Sequence, residues 1–297
     1  MKLGTLIPQN DVGGSRAVLK EFAQTAEGLG YHFLEAADHV LGVNVASRPD
    51  WGERNTSADF FHDPFVMFGY LAGVTSLEFS TGVLILAQRQ AALVAKQAAS
   101  LDVLCDGKFR LGVGVGWNPV EFVGLNEDFS NRGRRSVEQV RVMQALWADP
   151  HVTFDGQWHR IEDAGINPLP VNRGIPIWFG GHHELTLKRI VKYGDGWMML
   201  VYPPGKEATA AFDTLRRLAE AAGRDPTSIG LEVWVSTAVG GPKEWREEFL
   251  FWKQAGVTHV TVASTHGRGI HVRIPGRSMA DHLKAITDYH AAVADLL

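Results

Sequence analysis

Short apolar runs alternate with longer stretches of helical period along the whole chain. Runs near residues 2–7, 32–36, 79–85, 109–114, 176–179, 197–200, 230–236 and 258–262 have the look of buried strands. Segments 15–29, 63–75, 91–105, 132–148, 183–193, 206–222, 243–255 and 279–296 instead repeat apolar positions every three or four residues. Within 132–148, Val140, Met143 and Trp147 share one stripe while Glu138, Arg141 and Gln144 point elsewhere, which predicts a helix packed on the outside of a strand barrel. Start and stop signals agree. Asp63-Pro64 sets a capping residue and a first-turn proline ahead of Val66, and Gly30, Gly194, Gly223 and Gly256 follow helical stretches where a left-handed residue is favoured. Eight strands alternating with eight helices predict an α/β chain folded as a (β/α)8 TIM barrel, with an open doubly wound sheet as the alternative.

Three long loops interrupt the alternation: 40–62 after the second strand, 149–175 before the fifth and 263–278 after the eighth. The first and third leave the C-terminal ends of strands, where they are expected to roof a pocket. The middle one contains Val152 to Ile161, whose central Asp155-Gly156 predicts a hairpin with an Asp-Gly turn.

Composition narrows the function. At 297 residues and 45% hydrophobic, with no linker-like stretch, the chain reads as one domain over 1–297. A net charge of −4 offers no basic field for nucleic acid, so the expected partner is a small molecule. The lone cysteine, Cys105, has no disulfide partner and is expected to be a buried spacer. The opening apolar run stops at Gln9-Asn10-Asp11, too soon for a signal peptide, and no run approaches the roughly 20 residues of a membrane span. A cytoplasmic protein with no membrane partner is expected. Twelve histidines raise a metallohydrolase reading, but the first strand region lacks a His-x-His pair and His62, His182 and His183 show no ligand spacing, so no metal is expected.

Several motifs carry possible chemistry. Gly112 to Trp117 is not a dinucleotide fingerprint, because Trp117 stands where a glycine is required. Glycines at a barrel strand's end either admit a flat ring close to the backbone or relieve crowding. Gly180-Gly181-His182-His183 runs into a helix, where backbone N–H groups favour an anion; a tight turn is the alternative. Asp38-His39 ends the second strand, and a histidine there can give or take a proton near neutral pH; a capping aspartate beside a surface histidine is the alternative. Arg132, Arg134 and Arg135 precede a helix and are expected to be solvated or salt-bridged. Trp51, Phe60 and Phe61 either line a pocket or pack the first long loop.

Taken together, Ala37-Asp38-His39, Thr81-Gly82-Val83-Leu84, Arg110 to Asn118 and Pro176 to Gly181 resemble the bacterial luciferase-like superfamily, and within it the branch that uses coenzyme F420. The resemblance covers most of residues 1–200. It implies a non-prolyl cis peptide at Gly82–Val83 that makes a bulge behind the cofactor ring, with Asp38 and Asn118 at the ring's polar edge. It also implies His39 beside the substrate, the cofactor phosphate at Gly180, Gly181 and His182, and a homodimer. Tyr193 to Trp197 resembles the family's Gly-Asp-Gly-Trp stretch and is read as a structural turn. Where some dehydrogenases of the branch carry a glutamate proton donor this chain has Val115, which leaves His39 as the matched acid/base. The expected activity is hydride transfer between F420 and a small organic substrate. The alternatives are an FMN-dependent monooxygenase supplied with reduced flavin by a partner reductase, and a non-catalytic barrel that binds flavin or deazaflavin.

Overall fold

The computed structural model describes residues 1–265, 267 and 270–297. Its barrel strands are β1 (Lys2–Leu6), β2 (Phe33–Ala36), β3 (Glu78–Thr81), β4 (Phe109–Gly114), β5 (Ile177–Gly180), β6 (Gly196–Met198), β7 (Gly230–Val235) and β8 (His259–Val262), and the two-residue strand Leu84–Ile85 also pairs with β4. Each pairs in parallel with its neighbour in the chain, and β8 pairs with β1. The sheet is therefore closed, a (β/α)8 TIM barrel and not the open alternative. Among the described residues, eight long helices lie where the apolar period places them, from Arg16–Leu29 to Met279–Val293. Two short helices, Gln9–Val12 and Pro119–Gly124, span too few residues to show a period.

Alternation along the strands sorts the side chains. Leu34, Ala36, Phe109, Leu111, Val113, Val233 and Val260 join the large apolar layer shared with the helices. Their strand neighbours Glu35, Arg110, Glu232 and Thr261 meet inside the barrel. Arg110 pairs with Glu78 and donates to Glu232 at 2.8 Å. Its guanidinium lies 4.6 Å from the Phe33 ring and 4.5 Å from the Trp178 ring.

The expected caps are present with one exception. Asp63 accepts from the Phe65 and Val66 N–H groups at 3.0 and 3.2 Å. Gly30, Gly223 and Gly256 adopt φ of 93°, 72° and 88°. Gly194 instead has φ −104°, and its glycine answers a different demand. A Cβ there would lie 2.8 Å from the Phe179 ring, so close packing excludes a side chain.

Val140, Met143 and Trp147 are buried as the stripe predicts. Glu138 is buried too, against expectation, because it reaches the hairpin formed by Val152–Asp155 and Arg160–Ala164. That hairpin closes through a four-residue loop, 156–159, and not a two-residue Asp-Gly turn, since Asp155 pairs with Arg160. Cys105 is buried, and burial pushes its thiol up to about 11. The first long loop folds back on itself through a bridge between Val43 and Thr56. Of the third, 263–278, residues 266, 268 and 269 lie outside the described residues. Among the described residues no helix is long and apolar enough to cross a membrane.

Candidate functional site

The C-terminal ends of β2, β3, β4 and β5 carry the residues singled out in the sequence. The Gly82–Val83 peptide that leaves β3 is cis. Gly82 donates its N–H to the Ala36 carbonyl at 2.7 Å. A Cβ on Gly82 would lie 1.8 Å from Glu35 Oε1, so the glycine makes room for that buried carboxyl. Val83 is half-buried between the glycine ends of two strands. Side chains at Gly114 and Gly180 would come within 2.6 and 3.1 Å of it. The result is a low apolar ridge flanked by bare backbone. Gly112 is different: a Cβ there would lie 1.9 Å from the Thr81 carbonyl oxygen, so its role is barrel packing.

Asp38 and His39 are adjacent in sequence and part company in space. The Asp38 carboxylate is buried, accepts from the Ile85 N–H at 3.3 Å and pairs with Arg89 at 2.8 Å. Arg89 in turn pairs with Asp63 at 3.0 Å. Burial raises the Asp38 carboxyl above its ordinary range, and Arg89 only partly offsets this. His39 instead lines a cleft of about 640 Å³ at the barrel mouth, with Phe61, Trp117, Asn10 and Asp11 among its walls. The first long loop thus reaches the cleft through Phe61, whose ring centroid is 5.0 Å from that of His39. Trp51 stands behind, 5.8 Å from the Trp117 ring, and Phe60 packs on His62.

The opposite side of the His39 ring is held by a residue that the sequence pattern did not single out. Glu121 places Oε2 3.1 Å from His39 Nδ1, while its Oε1 accepts from the Val40 and Leu41 N–H groups at 2.9 and 3.2 Å. Burial pushes the Glu121 carboxyl up, but the contacts to His39, Val40 and Leu41 outweigh it and hold the group below its ordinary value. Its sequence setting hides it: Asn118-Pro119-Val120-Glu121 reads as a helix start with an acidic third residue. Asn118 does cap that helix, accepting from the Val120 N–H at 2.9 Å. The Asn118 Nδ2 is buried and, among the described residues, has no hydrogen-bond partner.

A narrow recess opens at the ends of β4 and β5. Val113, Gly114, Val115, Phe179 and Gly180 form its apolar part, and Ser136, Thr186 and Arg189 its polar part. Gly181 sits at φ 105° and its carbonyl accepts from Trp197 Nε1 at 2.7 Å. The Gly-Asp-Gly-Trp turn is structural in this sense, since Asp195 also accepts from the Ile177 N–H at 2.8 Å. His183 caps the helix Glu184–Tyr193 by accepting from Leu185 N–H at 3.2 Å, while His182 is exposed. Among the described residues no carboxylate answers Arg189, and burial lowers its guanidinium from the ordinary value. Arg132, by contrast, bonds the Gly116 and Phe129 carbonyls, and Arg135 pairs with Glu127. Among the described residues no group of three or more His, Cys, Asp or Glu comes together as a metal site.

Comparison with known proteins gives this geometry a setting. The F420-dependent hydroxymycolic acid dehydrogenase of Mycobacterium tuberculosis is 27% identical over 236 residues, covering 78% of this chain and 61% of its own. An F420-dependent secondary alcohol dehydrogenase, solved with an F420-acetone adduct, superposes with a TM-score of 0.77 at 18% identity, covering 100% of this chain and 99% of that one. The long-chain alkane monooxygenase LadA superposes with a TM-score of 0.80 at 12% identity, covering 100% and 91%. At such identities the two structures establish the fold. The family model for luciferase-like monooxygenases matches residues 1–292, and the chain belongs to that family of oxidoreductases and monooxygenases.

Proposed function

We propose that this chain is an F420-dependent oxidoreductase that moves a hydride between the deazaflavin and a small organic substrate bound in the cleft over His39. The observation that carries the reading is the His39–Glu121 pair at 3.1 Å, which puts an oriented proton carrier in the cleft wall. An alcohol losing a hydride must also lose its hydroxyl proton, and His39 is the residue placed to take it. The ends of β3, β4 and β5 fit the cofactor. Val83 with Gly114 and Gly180 offers a ridge and bare backbone for a flat ring. The unpartnered Asn118 Nδ2 suits a ring carbonyl, and Arg189 with Ser136 and Thr186 suits a phosphate. Asp38 would act on the ring only from behind, through Ile85 and Arg89. When bound, the deazaflavin supplies two-electron hydride chemistry, and the chain supplies position, exclusion of water and a proton path at His39.

The test is a titration of purified protein with F420 and, separately, FMN, followed through its nine tryptophans. Micromolar or tighter F420 binding with much weaker FMN binding, and anaerobic turnover of an alcohol or carbonyl substrate without flavin, is the expected result. A preference for FMN with strict oxygen dependence replaces the reading with a flavin monooxygenase. Tight F420 binding with no hydride exchange across donors and acceptors replaces it with a non-catalytic barrel.

A further inference from the structure

We infer that Glu121 is a positioning residue that fixes His39 in its Nδ1–H tautomer, so that the proton exchanged with substrate is carried at Nε2. The inference rests on the reading of His39 as the proton partner, and its reasoning is geometric. Glu121 is almost completely buried, with its side chain 1% exposed, and an ionised carboxylate only accepts hydrogen bonds. A carboxylate oxygen 3.1 Å from Nδ1 therefore requires a proton on that nitrogen, and a neutral ring then has its lone pair on Nε2. The other oxygen ties down the N–H groups of Val40 and Leu41, the two residues directly after His39. One side chain thus sets both the protonation pattern of the ring and the backbone that carries it. With its side chain 1% exposed and both oxygens engaged by His39, Val40 and Leu41, this carboxylate acts through the histidine and not on the substrate.

Glu121→Gln separates these two duties. Its amide oxygen can keep the Val40 and Leu41 bonds while its NH₂ faces Nδ1, which reverses the demand on the ring and favours the Nε2–H tautomer. The neighbouring Gln88 permits the exchange. Its Nε2 lies 3.4 Å from Glu121 Oε2 and its buried Oε1 has no partner among the described residues, so a flipped Gln88 amide accepts from the new NH₂. A related loss, the wrong histidine tautomer beside an amide in place of a carboxylate, is severe in serine proteases.

Imidazole ¹⁵N spectra of the protein without cofactor, at a pH where the ring is neutral, test the tautomer directly. The His39 signals are assigned by their loss in His39→Asn. The expected wild-type pattern is a protonated Nδ1 and a bare Nε2, with the two reversed in Glu121→Gln. A wild-type spectrum with the proton on Nε2 overturns the inference without any variant, as does a pattern unchanged in Glu121→Gln. In turnover, Glu121→Gln is expected to lower kcat at least about tenfold with KM and F420 affinity within about twofold. Reversed tautomers with kcat unchanged would refute the positioning role. If the wild type fails to bind F420, the proposed function falls, and the spectra still decide the tautomer.

Discussion

Arg189 is a half-buried cation without an answering carboxylate among the described residues, at the polar end of a recess that also holds Ser136 and Thr186. A charge-assisted hydrogen bond contributes roughly 1.5–3 kcal/mol, and the folded protein loses no ion pair when this guanidinium is removed. Arg189→Ala is therefore expected to weaken binding of a phosphate-bearing cofactor about 10- to 100-fold, while stability to urea changes by less than about 0.5 kcal/mol. Equal affinity in the variant and the wild type would remove Arg189 from the cofactor site. The contrast with His39 explains what was legible at this scale. His39, Val83 and Gly180 could be read because each sits at a strand's end, where barrels present functional groups. Glu121, Ser136 and Arg189 enter the same region from helices, and in sequence they look like ordinary first-turn or surface positions. Asp38 shows the converse difficulty. A neighbour one residue from His39 points to the opposite side of the strand end, into an ion pair with Arg89 that only the folded chain brings together.

At the scale of elements, the hairpin of the middle long loop depends on one helix side chain. Glu138 accepts from the Gln157, Trp158 and His159 N–H groups and from His159 Nδ1, each at 2.8 Å. Burial raises this carboxyl, and the four donors outweigh burial and hold it below its ordinary value. Its contribution is therefore present above the unfolded carboxyl value and fades as pH falls through the lower folded one. Glu138→Ala is expected to destabilise the protein by about 2–3 kcal/mol near neutral pH and to speed hydrogen exchange at residues 157–159. Exchange rates there that match the wild type would mean that the hairpin stands without its tether. The helix itself was legible from Val140, Met143 and Trp147, because burial of a continuous stripe is written into a 3.6-residue period. Glu138 was not, because a charged residue off the stripe normally faces water. The Asp-Gly turn failed for a related reason: Glu138 gathers three successive N–H groups, which favours a longer loop over a two-residue turn.

At the scale of the whole barrel, the strands hide their most consequential charges in plain apolar runs. Leu34-Glu35-Ala36, Phe109-Arg110-Leu111 and Leu231-Glu232-Val233 each set one charge inside a run that otherwise looks buried, and only closure of the sheet turns these charges toward one another. Thr261 Oγ1 lies 3.1 Å from Glu35 Oε2 and 2.7 Å from Glu232 Oε1, yet a hydroxyl has one proton to give. A proton on one carboxyl satisfies both contacts, because that group donates to the hydroxyl while the hydroxyl donates to the other. Burial first, and then the neighbouring Glu232 charge, push Glu35 well above its ordinary range. Glu232 is buried as well, but Arg110 at 2.8 Å brings it down to about 2. The two groups act on stability in opposite directions. Glu232 binds a proton more readily in the unfolded chain, so its contribution is complete above about 4.5 and declines as pH falls toward about 2. Glu35 keeps in the folded state a proton that the unfolded chain releases above about 4.5, so its contribution is greatest below that value and is lost as pH rises. The fall approaches about 1.4 kcal/mol per pH unit while Glu35 stays protonated. Glu35→Gln reproduces the protonated acid. Its carbonyl can accept from Trp234 Nε1, as Glu35 Oε1 does at 2.9 Å, and its NH₂ can donate to Thr261, whose own proton then goes to Glu232. The variant is expected to match the wild type in urea unfolding near pH 4.5 and to exceed it by more than about 1 kcal/mol at pH 7.5. Stability curves that stay parallel across this range would mean that Glu35 is ionised in the folded barrel. Because Glu35 lies directly beneath Gly82, the same titration also reports the charge under the ridge that the cofactor is proposed to occupy.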